Sequence, residues 1–108
     1  MDGVEFASRD RFAALLRSQR VLLVAFVATW NAKCVGFVPS FLTFARHRCP
    51  SLSLAFVDVD ENAALTADYD VFSVPTIMLF ENGRETFRES DGNLDLLAGG
   101  LVVRGLID

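Results

Sequence analysis

The chain predicts an α/β domain built on a mixed central β-sheet with helices on both faces. Two apolar, β-branched runs, "V-L-L-V-A-F-V" at 21–27 and "L-S-L-A-F-V-D" at 52–58, are separated by a long helix-patterned segment, so they read as parallel strands buried on both faces. Further on, "E-N-G-R" between two strand-like runs reads as a hairpin and adds antiparallel pairing. With 108 residues, 52% of them hydrophobic and ten of them Phe, the chain holds enough apolar matter for a single domain over residues 1–108 whose core needs neither disulfide nor metal.

Each element has its own warrant. "V-E-F" at 4–6 reads as a short edge strand. Ser8 or Asp10 can cap the helix that follows, in which Phe12, Leu15 and Leu16 share one face. After the 21–27 strand, Ala32 to about Arg48 reads as a helix with Phe37, Phe41, Phe44 and Ala45 on one side and a kink expected at Pro39. The 52–58 strand leads to a short helix over 63–70 with Asn62 as its cap. "V-P-T-I-M-L-F" is a third strand, entered through Pro75. Gly83 supplies the positive φ of the hairpin turn, "E-T-F-R-E" is the returning strand, and 93–107 reads as a closing helix. Gly99 and Gly100 each cost that helix about 1 kcal/mol relative to Ala.

Charge and cysteine count narrow the function classes. A net charge of −4 argues against a nucleic-acid partner, which needs a concentrated basic face. Nine of the ten basic residues are Arg and only Lys33 is Lys, a bias with no functional account. No basic head precedes an apolar stretch, and Asp2 and Glu5 lie near the start, so no signal peptide is expected. The longest apolar run, 21–28, is far short of the ~18 residues of a membrane helix, so no membrane partner is expected. Two Cys do not make a disulfide framework, and a reducing, cytoplasmic setting is the default expectation. His47 stands alone, without ligands at metal spacing, so neither a metal nor a cofactor is expected.

Four features together resemble the thioredoxin family, in its eukaryotic-type form. "A-T-W-N-A-K-C" at 28–34 resembles that family's Trp-Cys-Gly-Pro-Cys corner. Pro39 falls five residues after Cys34, as the family's helix Pro falls after its second Cys. "V-D-V-D-E-N" at 57–62 resembles the end of its third strand. "S-V-P-T" at 73–76 resembles its cis-Pro loop, with "F-E-N-G" and "D-G" resembling its final hairpin. The match covers roughly residues 4–107 and implies the thioredoxin fold.

The resemblance also exposes departures. The spacings from Trp30 to Cys34 and from Cys34 to Pro39 place Cys34 at the family's second, resolving position and Asn31 at the nucleophile position, so the redox centre reads as degenerate. Ala32 and Lys33 replace the Gly-Pro pair. The family's buried acid in the strand before the corner corresponds to Ala25, and the Lys that partners it in many members corresponds to Phe56. Thiol–disulfide exchange needs an attacking thiolate and a second thiol to release the mixed disulfide. The amide of Asn31 cannot attack sulfur, but it is among the best helix caps, worth about 0.5–2 kcal/mol.

The expectation is therefore a thioredoxin-like protein without disulfide oxidoreductase activity. It acts by binding a protein or extended peptide in a groove formed by Trp30, Ala32, Lys33, Val74 and Pro75, by strand addition to the Val74 main chain. The cis state of the Val74–Pro75 bond is implied by the resemblance alone. The runner-up is a monothiol, glutathione-linked function of Cys34 in cell redox homeostasis, set against Cys34 as a small residue packed under the helix start, and the third reading is a purely structural or regulatory domain that uses another face. Cys34 and Cys49 cannot pair, because fifteen helical residues span about 22 Å and a disulfide needs Cα atoms within ~7 Å. Cys49, in "R-H-R-C-P", offers an intermolecular disulfide and hence a dimer, against a plainer reading as a surface or half-buried Cys.

Overall fold

A computed structural model describes Met1 and residues 3–108. Along the chain run α1 (Arg9–Ser18), β1 (Val21–Val27), α2 (Ala32–Arg48), β2 (Ser53–Asp58), α3 (Ala63–Asp68), β3 (Thr76–Glu81), β4 (Arg84–Glu89) and α4 (Leu94–Val103). The four strands form one sheet in the order β2-β1-β3-β4. β1 pairs parallel with β2, and β3 runs antiparallel to both β1 and β4. This is the mixed sheet that two helix-linked strands and one hairpin require.

β1 is buried along almost its whole length because its residues alternate between two cores. Leu23, Ala25 and Val27 face Phe37, Val38 and Phe41 of α2 and Leu97 and Leu101 of α4. Leu22, Val24 and Phe26 face Phe12 and Leu15 of α1 and Leu65 of α3. On that second face Phe12, Tyr69 and Phe80 meet edge to face, at 5.5–5.8 Å between ring centroids.

The ends of the elements follow from local chemistry. Ser8 caps α1, its Oγ accepting from the Arg11 N–H at 3.1 Å. Asn82 and Gly83 both take positive φ, 53° and 81°, as a tight turn between antiparallel strands demands. Several expectations shift, among them the helices read over 63–70 and 93–107, which span Ala63–Asp68 and Leu94–Val103. The 4–6 segment forms a single bridge from Phe6 to Phe56 rather than a strand, because Gly3 turns the chain before it and the Ser8 cap starts α1 directly after it. Asn62 does not cap α3 with its side chain; its Nδ2 donates to Asp58 O at 3.0 Å. Cys49 is buried in the α2 face of the core rather than half-exposed. Among the described residues, no helix is long and apolar enough to cross a membrane.

Candidate functional site

The site lies where β1 ends and β3 begins. The last rung between those strands pairs Phe26 with Thr76. Beyond it, β1 runs out through Ala28 and Thr29 to Trp30 and α2, while the chain enters β3 through Ser73, Val74 and Pro75. The Val74–Pro75 peptide is cis. Gly92, at φ +70°, lies between Pro75 and Phe37: a β-carbon there would stand 3.0 Å from Pro75 Cγ and 3.4 Å from Phe37 Cδ1. The corner, the Pro loop and the segment before α4 thus meet at one end of the sheet.

Trp30 is 71% exposed, and its indole Nε1 donates to Asp60 Oδ2 at 2.6 Å. Asp60 is set in turn by its own N–H, which donates to Asp58 Oδ1 at 3.0 Å. The ring is therefore held at its polar edge while its faces stay open to solvent. Asn31 is the N-cap of α2, its Oδ1 accepting from the Cys34 N–H at 3.0 Å. Ala32 and Lys33 are exposed on the first turn. Cys34 is 0% exposed and belongs to the same core cluster as Ala25, Phe56 and Ile77. Ala25 and Phe56 are direct partners in the β1–β2 register, and the Phe56 ring meets Phe41 edge to face at 5.9 Å.

Burial pushes the Cys34 thiol above its ordinary value; the Ala28 main chain and the Lys33 ammonium pull it back by less. Burial likewise raises the Cys49 thiol, against a smaller opposing effect of Arg48. Both cysteines are free. Among the described residues, no group of three or more His, Cys, Asp or Glu could hold a metal ion.

The loop wall is fixed by polar contacts that the sequence did not announce. Glu89 is a buried carboxylate whose oxygens accept from the N–H groups of Asp91 and Asn93. Ser73 Oγ donates to Ser90 O at 3.1 Å and Thr76 Oγ1 to Ser73 O at 2.7 Å, tying the Pro loop to the same wall. A cleft of about 590 Å³ opens between this wall and α2, lined by Lys33, Phe37, Ser40, Gly92 and Leu94 among others. Asp60 sits inside the quoted "V-D-V-D-E-N" stretch, so a signal for it existed. Nothing local marks Glu89 as buried.

A Trp-led corner ending in a Cys at the first turn of a helix, set beside a cis X–Pro loop at one end of a mixed sheet, defines a class of α/β domains with a thiol-bearing corner. A family model described as "Thioredoxin" matches residues 3–98. Thioredoxin of Mycobacterium tuberculosis is 35% identical over 74 residues, which cover 68% of this chain and 64% of that protein. A bifunctional thioredoxin reductase/thioredoxin of Mycobacterium leprae is 33% identical over 85 residues, covering 79% of this chain and 19% of that protein. The chain thus spans less than two thirds of these relatives. The X-ray structure of Fasciola hepatica thioredoxin superposes with a TM-score of 0.79 at 28% identity, covering 87% of this chain and 91% of that one. The chain belongs to the thioredoxin family.

Proposed function

We propose that this thioredoxin-family chain, one domain over residues 1–108, acts without dithiol exchange. It binds an extended protein or peptide segment at the corner of Trp30, Asn31, Ala32, Lys33, Val74 and Pro75. One observation carries the reading. The amide of Asn31 occupies the helix cap, bonded to the Cys34 N–H, where the resemblance calls for an attacking thiolate. A carboxamide has no electron pair able to open a sulfur–sulfur bond. The surroundings support this. A resolving thiol needs a base nearby, yet Cys34 lies in an apolar core cluster with Ala25, Phe56 and Ile77. Glu89, the one buried carboxylate among the described residues, is committed to backbone N–H groups. What the corner keeps is a binding edge: an open indole face, and a Val74 main chain whose N–H and C=O engage no partner among the described residues. An added strand takes its affinity from such groups.

The monothiol alternative asks Cys34 to react from a buried position with a raised pKa, and thiolate is the reactive form. Two measurements test the reading. In a disulfide-reduction assay with dithiothreitol or a reductase as donor, the native chain is expected to give no rate above background; turnover like an ordinary thioredoxin's refutes it. A thiol reagent is expected to leave Cys34 unlabelled until the chain is denatured. Fast, stoichiometric labelling of the folded chain would favour the monothiol alternative.

A further inference from the structure

Two exposed aromatics lie at equal chain distance from the last rung of the corner. Trp30 lies four residues beyond the Phe26–Thr76 rung along β1, and Phe72 lies four residues before the same rung on the approach to β3. Phe72 is 91% exposed, and no element covers it. Val35, 52% exposed, adds an apolar contact on the first turns of α2. A single apolar side chain in water is ordinary, so Phe72 counts here only together with Trp30, Val35 and the charge around them.

The charge at this end of the sheet selects the kind of contact. This end carries Asp58 at the close of β2 and Asp60, Glu61 and Asp91 in its loops, with Asp70 two residues before Phe72. The cations are Lys33 and, beside Asp58 and Glu61 on a shared cleft, Arg9. Among the described residues the salt bridges are Arg88–Glu85 and Arg104–Glu81, so none of these loop carboxylates is paired with a cation. Arg88 is further occupied by the Tyr69 and Asp70 carbonyls. Asp60 gives one oxygen to Trp30 and keeps the other open. Basic residues gather at other helix ends: Arg17 in the last turn of α1, and Arg46, His47 and Arg48 in that of α2.

The geometry points to an extended peptide bearing a large apolar or aromatic side chain next to Lys or Arg as the occupant of the Trp30–Phe72 edge. This rests on the peptide-binding reading above and names the partner's chemistry. The apolar residue packs on these exposed apolar side chains. The cations meet the unpaired carboxylates, whose field also speeds encounter.

Calorimetric titration of the native chain with two short unstructured peptides, a central Phe flanked by Lys in one and by Glu in the other, tests it. At low salt the Lys peptide is expected to bind about tenfold tighter, with the gap closing near 1 M salt, where the screening length is only about 3 Å. Phe72→Ser, a surface change that leaves the fold intact, is expected to weaken the Lys peptide roughly fivefold. Asp60→Asn combined with Glu61→Gln should narrow the gap between the peptides. Equal binding of the two peptides, or no effect of Phe72→Ser, overturns this inference. If Trp30→Ala still abolishes binding in that case, the groove reading stands. If neither peptide binds at any salt, both readings fall.

Discussion

Asn31→Cys tests the structural and the chemical halves of the site together. The change deletes the Oδ1 acceptor that holds the Cys34 N–H at 3.0 Å. A cap of this kind is worth about 0.5–2 kcal/mol. A domain of this size loses roughly 4–8 °C in Tm per kcal/mol, so the reduced variant should melt about 2–15 °C lower. The new thiol gains the helix N-terminus, which favours its thiolate. It can attack a substrate disulfide, expel one substrate thiolate and form a mixed disulfide. Turnover then requires Cys34 to lose its proton, attack the new sulfur and release the second substrate thiol, leaving a disulfide between positions 31 and 34 that dithiothreitol reduces. Burial raises the Cys34 pKa, and the apolar cluster it shares with Ala25, Phe56 and Ile77 offers no base. General base catalysis contributes about 10²–10⁴-fold where it operates. The single variant should therefore reduce insulin disulfides slowly, and Asn31→Cys with Ala25→Asp at least tenfold faster. The second change buries a carboxyl beside Phe56, so rates are measured well below the double variant's own melting transition. If the single variant already matches the double, the missing proton route is not what limits this corner, and the reasoning from Ala25 fails.

Other outcomes follow from the same geometry. Gly99→Ala meets nothing within 4 Å and should stabilise α4 by about 1 kcal/mol, read as a higher midpoint in urea. Gly100→Ala, its neighbour, would set a β-carbon 2.5 Å from Phe87 Cζ and 2.7 Å from both Cε atoms. Overpacking of this kind costs about 1–3 kcal/mol, so this variant should melt below Gly99→Ala and at or below the native chain. The folded-state pKa values of Cys34 and Cys49 lie above the ordinary thiol value of 9.0, because burial favours the neutral form. Their contribution to stability is complete below that value and declines as pH rises through the folded-state pKa values. Urea midpoints should therefore fall above pH 9 in the native chain, and fall less in Cys49→Ala relative to its own value at pH 7.

The sheet was legible because its strands are unusually uniform. Seven apolar residues at 21–27 leave no polar face, so β1 had to be central, and the Asn82–Gly83 pair could only be a tight turn. The α2 helix was legible to its ends because Asn31 caps it and its buried positions repeat at helical spacing through Phe37, Phe41 and Ala45. Long-range contacts were not legible. Gly100 looked like a defect in a helix, and its reason, the Phe87 ring beneath it, lies on β4. Cys49 looked surface-exposed among Arg and His, yet as C-cap of α2 its backbone turns inward and buries it with the core. Phe72 and Glu89 invert the usual rule, an aromatic in water and a carboxylate inside, and only tertiary placement decides such inversions.

The corner's shape does not depend on the sulfur chemistry that the family resemblance attaches to it. The α2 start is held by Asn31, the indole by Asp60, the Pro loop by Ser73 and Thr76, and the facing wall by Glu89 through Asp91 and Asn93. Only the first of these contacts touches Cys34, through its backbone N–H, and none involves its thiol. Ala25 and Phe56 fill the volume beneath the corner with apolar matter, sparing the fold an isolated buried charge, which is costly unless paired. The proposed binding edge does not need catalysis to persist, because the groups that shape it and the thiol that would react are different groups. It follows that Cys34→Ala, which removes the last thiol of the corner, should leave peptide affinity within about twofold of native. It should lower stability by only the roughly 1 kcal/mol expected for a small cavity. A Cys34→Ala variant that folds but no longer binds would make the sulfur part of the binding edge and undo this separation.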